Sequence, residues 1–205
     1  MINRAMYREL AAAAILTASY PFNRLEKRLS SYQPRWGDAI VLVHGFGGDR
    51  SNLLPVGAYL RMAGFVNVVY FEYPVRQLLG LSVAKLLELV EQLSDAHGAV
   101  HLAGHSLGGV MARESARRAR LGTVRSLITL GSPYDPNQLS PRELAIFGEE
   151  DPLIAVPHPG TLRPEAFKRT VVLPATGHFA LLYHPRTWQS LLAEIRSNRP
   201  SSRAA

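Results

Sequence analysis

The chain contains no cysteine. A disulfide scaffold, a thiol nucleophile and a thiolate metal site are therefore all excluded. It also lacks any apolar run of the roughly 20 residues that a membrane-spanning helix needs. Acidic residues are scarce: 16 Asp and Glu face 23 Lys and Arg, mostly arginine, for a formal net charge of +7. A basic surface favours anionic partners such as acidic lipid. No RNA- or DNA-binding signature accompanies the charge, so nucleic acid is not an expected partner. Internal repeats and linkers are absent too. A length of 205 residues suits one domain with a sizeable core.

What the chain does contain is an alternation of two hydrophobic periods. Ala39 to Val43 is an unbroken apolar run, as expected of a strand covered on both faces. Further strands are expected from Phe65 to Phe71, from Val100, from Val124 to Leu130, from Glu143 to Phe147 and from Lys168 to Leu173. Between them, apolar residues recur at helical spacing. Leu54 to Met62 opens with a proline and is followed by Gly64, and Leu79, Val83, Leu86, Val90 and Leu93 form one stripe. A helix runs from the residues after Ser106 to about Arg120, its arginines read as a solvated face, and Trp188, Leu191, Leu192 and Ile195 mark the last helix. Strands alternating with helices predict a three-layer α/β sandwich around a mostly parallel sheet. The expected organisation is an N-terminal helix and lead-in over 1–38, a catalytic domain over 39–197 and a frayed tail over 198–205.

The most informative stretch is Gly104-His105-Ser106-Leu107-Gly108, between a strand and a helix. In that context G-x-S-x-G is a sharp turn that lifts a serine hydroxyl above the sheet edge, with glycines where the turn brings the chain close to itself. A serine hydroxyl needs a base and a site for the developing oxyanion. His44-Gly45-Phe46-Gly47-Gly48 follows the first strand and can turn N–H groups into the site. The expected donors are the backbone N–H groups of Phe46 and Leu107. His44 is read as a residue that fixes this loop beside the substrate cleft, since a base must approach the serine from its other side.

The base should come from a late loop. His178 follows the last strand, released by Gly177 and followed by apolar residues, whereas His97, His101, His158 and His184 read as structural or surface groups. The acid must orient the imidazole. Asp151, before Pro152 and just past a strand, fits best, with Glu149 and Glu150 as solvated neighbours; Asp135 is the other candidate. Phe179 and Leu181 are expected to wall the substrate cleft.

These motifs together resemble the α/β-hydrolase superfamily, most closely its small lidless bacterial lipases and esterases. The likeness covers nearly all of Ala39 to Ile195 and rests on VLVHGFGG, AGHSLGG, LGSP, the G-x-x-D before the acid and TGHFALL around the base. The order Ser106, Asp151, His178 is the order used in that family. The resemblance implies a minimal hydrolase fold without a cap domain, and ester hydrolysis through an acyl-enzyme with no metal or organic cofactor. Residues 131–142 are too few and too rich in turn formers for a helical cap. The same triad would equally serve an amide, thioester or lactone hydrolase or an acyltransferase, and a non-catalytic binding protein would be expected to lack a triad member.

The start of the chain lies outside that likeness. Arg4 and Arg8 precede a short apolar run from Leu10 to Ala18, in the manner of a secretory signal. Glu9 interrupts the junction between the two, however, and no clean A-x-A site follows Ala18. A helix docked on the body or lying on a membrane surface is the reading preferred, in a cytoplasmic or membrane-peripheral rather than a secreted protein.

Overall fold

All five side chains of β1 (Ala39–Val43) are buried, and the pleat divides them between two cores. Ile40 and Leu42 enter one core, Ala39, Val41 and Val43 the other. The structure is a computed structural model that describes residues 4–19, 37–74, 77–134, 142–162 and 164–198. The other strands are β2 (Asn67–Phe71), β3 (Val100–His105), β4 (Val124–Leu130), β5 (Glu143–Gly148) and β6 (Thr170–Leu173). They form one sheet in the order β2-β1-β3-β4-β5-β6, with every pairing parallel.

The helices are α1 (Arg4–Ser19), α2 (Leu54–Met62), α3 (Leu79–His97), α4 (Leu107–Arg118), α5 (Pro164–Lys168) and α6 (Pro185–Ser197). Val56 and Leu60 of α2 share the Ile40 core with Leu191 and Ile195 of α6. Val83, Leu86 and Val90 of α3 share the Val41 core with Met111 and Ala112 of α4. A third, smaller cluster joins Ala145 and Phe147 of β5 to Leu162 and Ala166 at the far edge. The result is the three-layer sandwich expected from the sequence.

Several boundaries are set by local features that the hydrophobic pattern does not carry. Phe65 does not begin β2. It closes α2, its N–H bonding to the Leu60 carbonyl while Gly64 turns at φ 96° and bonds to Arg61, a Schellman ending with Leu60 and Phe65 both buried. Lys168 ends α5 rather than opening β6. The last helix starts three residues before Trp188, at Pro185, where the His184 ring accepts from the Arg186 N–H as a cap. The arginines of α4 are also more than a solvated face. Arg117 and Arg118 pair with Glu114, but Arg113 reaches the wholly buried carboxylate of Glu143.

The chain order reverses between β1 and β3, which lie side by side while β2 sits beyond β1. In open parallel sheets the crevice past the carboxyl ends at such a switch point is where ligands bind. The loops that leave β1 and β3 there begin at His44 and Ser106.

Candidate active site

Ser106 is one of two non-glycine residues in the described chain with positive φ, at φ 53° and ψ −124°. Such a backbone costs on the order of 1–3 kcal/mol and persists only where its surroundings impose it. Here they do. The Ser106 N–H donates to the Leu130 carbonyl at the end of β4, at 2.9 Å. A Cβ on Gly104 would stand 2.3 Å from the Gly108 carbonyl oxygen, and one on Gly108 would stand 2.3 Å from that of His44. Both flanking glycines of the turn are therefore required by backbone packed against backbone.

The loop after β1 abuts the serine. A Cβ on Gly45 would lie 3.0 Å from Ser106 Cβ, and the turn closes through Gly48 N–H to the Gly45 carbonyl at 3.2 Å. Phe46, at its tip, is 70% exposed. Leu107 is the first residue of α4, where a helix leaves N–H groups without intrahelical acceptors. His44 is 1% exposed and bonds through Nδ1 to the Gly45 carbonyl, so it anchors the backbone of this loop.

On the other side, His178 Nδ1 and Asp151 Oδ2 are 2.7 Å apart, with the Asp151 side chain fully buried. A carboxylate oxygen accepts, so Nδ1 carries the proton. Asp151 Oδ1 accepts from the N–H groups of Leu153 and Ile154, at 2.8 and 2.9 Å. Burial alone would raise the Asp151 pKa. The hydrogen bonds from His178, Ile154 and Leu153 outweigh it and hold the carboxyl below its usual value. A Cβ on Gly131, next to the Leu130 that receives the Ser106 N–H, would lie 3.1 Å from Asp151 Oδ2 and 3.3 Å from His178 Nδ1. The ends of β3, β4, β5 and β6 thus bring Ser106, Asp151 and His178 to one corner of the sheet.

Asp135, the alternative acid, lies outside the described residues. Glu149 is not merely solvated, since its Oε2 accepts from the Ala175 N–H at 3.2 Å. Phe179 is half-buried, edge-on to the His178 ring at 5.3 Å between centroids. Leu181, expected in the cleft wall, is instead fully buried in the Ile40 core, because the 3-10 turn Ala180–Tyr183 points it inward. His158 and His184 cap short turns and helices, and His101 bonds Ser126 inside the sheet. Among the described residues no group of three or more His, Cys, Asp or Glu could hold a metal ion.

One neighbour of the serine has a place that the sequence reading does not give. His105 Nε2 donates to the His178 carbonyl oxygen at 3.1 Å, and the two rings lie 4.6 Å apart. Burial, reinforced by the neighbouring His178, pushes the His105 pKa down to about 3, so its ring is neutral. The signal lay in the motif itself, where the residue before the serine is the last of a buried strand and so must face an interior partner.

Residues 40–200 match the alpha/beta hydrolase family. The chain belongs to that family. Solved structures agree in fold with this hydrolase. Est1E from Butyrivibrio proteoclasticus is similar over 80% of this chain and 90% of its own, at 16% identity and a TM-score of 0.61. The Pyrococcus furiosus esterase Pf2001 is similar over 80% and 82%, at 14% identity and 0.61. The type II thioesterase BorB from the borrelidin biosynthetic cluster is similar over 83% and 97%, at 19% identity and 0.60. At these identities the likeness is one of fold. Comparison with curated proteins finds no match.

Proposed function

We propose that this hydrolase cleaves carboxylic esters through an acyl-enzyme, with Ser106 as nucleophile, His178 as base and Asp151 as the acid that orients it. The observation that carries the reading is the 2.7 Å contact between His178 Nδ1 and a fully buried Asp151 carboxylate, at the same sheet corner as the strained Ser106. With Nδ1 protonated, Nε2 of the neutral ring is left as an acceptor for the Ser106 hydroxyl proton. Serine Oγ then attacks the ester carbonyl, and the N–H groups of Phe46 and Leu107 receive the oxyanion. His178 returns the proton to the leaving alcohol, and water repeats the cycle on the acyl-enzyme. Asp151 stabilises the imidazolium formed twice on the way.

A fluorophosphonate probe should label the protein once, at Ser106, and Ser106→Ala should abolish both labelling and turnover. The acyl group and leaving group are read from p-nitrophenyl esters of rising chain length beside matched thioesters and amides. Ester turnover that exceeds the other two supports the reading, and preference for the thioester would replace it with a thioesterase. Activity undiminished in Ser106→Ala would remove its basis.

A further inference from the structure

The segment that carries His178 is held by a helix that precedes the family-matched residues. Glu9, in the middle of α1, accepts from the N–H groups of Phe179 and Ala180, at 2.7 and 2.9 Å, one through each carboxylate oxygen. Its neighbour Arg8 donates from one guanidinium nitrogen to the carbonyl oxygens of Pro174 and Ala175, at 3.0 and 2.9 Å, and to Thr176 Oγ1 at 3.3 Å. Two adjacent side chains of one helix thus grip the chain on both sides of His178. Gly177 is shaped to admit the grip, because a Cβ there would stand 2.6 Å from Glu9 Oε2.

The gripped segment is not one that would hold itself. Ala175 is the second non-glycine residue with positive φ, at 48°. Its N–H is fixed by Glu149 and its carbonyl by Arg8. The sheet side adds the bond from Glu150 N–H to the Thr176 carbonyl, at 3.1 Å, and the bond from His105 to the His178 carbonyl. With Glu9 in place, the carbonyl of His178 and the next two amides all have partners. α1 also packs against the 3-10 turn Arg50–Leu53, beyond the loop of Phe46, so one helix touches the supports of both sides of the site.

We propose that Glu9 is a positioning residue for His178, and that α1 is a part of this hydrolase's active-site scaffold that the family core does not supply. The proposal rests on the reading of His178 as the base. A helix that merely packed would need no bidentate carboxylate at the amides next to that base. A base displaced by a fraction of an ångström loses turnover more than binding, since Phe46 and Leu107 stand on other loops, after β1 and β3.

The test compares Glu9→Ala, Glu9→Gln and Leu10→Ala, the last on the exposed face of the same helix. Active sites are counted by fluorophosphonate end-point labelling, and turnover of a p-nitrophenyl ester is expressed per labelled site. Glu9→Ala should label once per chain, keep KM within about twofold and lose about 10- to 100-fold in kcat. Glu9→Gln, which keeps one acceptor oxygen, should fall between it and wild type. Leu10→Ala should match wild type. The downfield proton resonance of His178 Nδ1–H against Asp151 should broaden or shift in Glu9→Ala, less in Glu9→Gln and not in Leu10→Ala. Per-site kcat within twofold of wild type in Glu9→Ala would overturn the proposal. So would a loss matched by fewer labelled sites, which would mean fewer folded molecules. Failure of the underlying reading shows elsewhere, as full turnover in Ser106→Ala.

Discussion

Tyr73 lies flat on His44, with ring centroids 4.4 Å apart and planes 3° from parallel, and its hydroxyl donates to the His44 carbonyl oxygen at 3.0 Å. The His44 ring in turn donates from Nδ1 to the Gly45 carbonyl at 2.9 Å. The loop that carries Phe46 is thereby pinned from below at two consecutive carbonyls. Burial raises the Tyr73 hydroxyl pKa to about 12, so it remains a donor at any working pH.

Tyr73→Phe keeps the stacking and removes the donor. A buried carbonyl left unmatched costs about 1–3 kcal/mol, which urea unfolding should read as a lower midpoint with an unchanged slope. The variant should also lose kcat, because the Phe46 N–H sits on the loosened loop. A midpoint and kcat equal to wild type would show that water replaces the hydroxyl at no cost.

Arg113 and Glu143 offer a test of the fold away from the site. The guanidinium donates to both Glu143 oxygens, at 2.8 and 2.9 Å, and Thr129 Oγ1 donates to one of them at 2.6 Å. Glu143 is fully buried, so Arg113→Met would strand a charge in the interior at a cost of about 3–5 kcal/mol. Adding Glu143→Gln removes that charge and keeps an acceptor for Thr129. The double variant should recover more than half of the lost stability in denaturant unfolding. A double variant as unstable as the single would mean that the arginine matters through packing instead.

Much of this arrangement was legible in the sequence. The apolar run of Ala39–Val43 announces a doubly covered strand, and Gly104 and Gly108 announce a turn that permits no Cβ at either place. That Ser106, Asp151 and His178 meet at one corner is legible because each follows a strand and parallel strands all end on one side. What could not be read depends on contacts between distant parts of the chain. Glu9 reads only as an interruption just before an apolar run, since its partners lie 170 and 171 residues away. The inward turn of Leu181 and the partner of His105 follow from how the last loop settles on β3 and β4, which no local period encodes. Phe65 is ambiguous in the sequence because a buried helix-closing residue and the first residue of a strand are both simply apolar.

His105 gives the protein a pH dependence whose sign follows from its burial. Unfolded, a histidine takes up a proton near pH 6.5, whereas in the fold this one does so only near about 3. Between those values the unfolded chain holds more protons, so stability is full above pH 6.5 and falls as the pH drops. One such group contributes up to about 1.4 kcal/mol per pH unit. His105→Gln retains an N–H donor for the His178 carbonyl but cannot titrate. Its urea midpoint should therefore fall less than that of wild type between pH 7 and pH 5. The buried His44, also lowered, is common to both proteins and cancels in the comparison. Equal falls would show that His105 is already protonated in the fold at pH 5.

The identity of the acid can be decided by a substitution that alters one proton and little else. In Asp151→Asn the side-chain carbonyl can still accept from the Leu153 and Ile154 N–H groups, so the turn should survive. The amide nitrogen, however, would face His178 Nδ1 as a donor and force the proton onto Nε2. That nitrogen could then no longer accept from Ser106. Turnover should drop on the order of 10⁴-fold with the unfolding midpoint little changed, as expected when a triad histidine is held in the wrong tautomer. Glu149→Gln keeps an acceptor for Ala175 and, like Asp135→Asn and Glu150→Gln, should stay within about tenfold of wild type, since none of these changes the proton on His178. Steady-state rates on one p-nitrophenyl ester across the four variants settle the assignment. A larger loss in Asp135→Asn than in Asp151→Asn would move the acid to the end of β4 and leave the 2.7 Å contact a structural one.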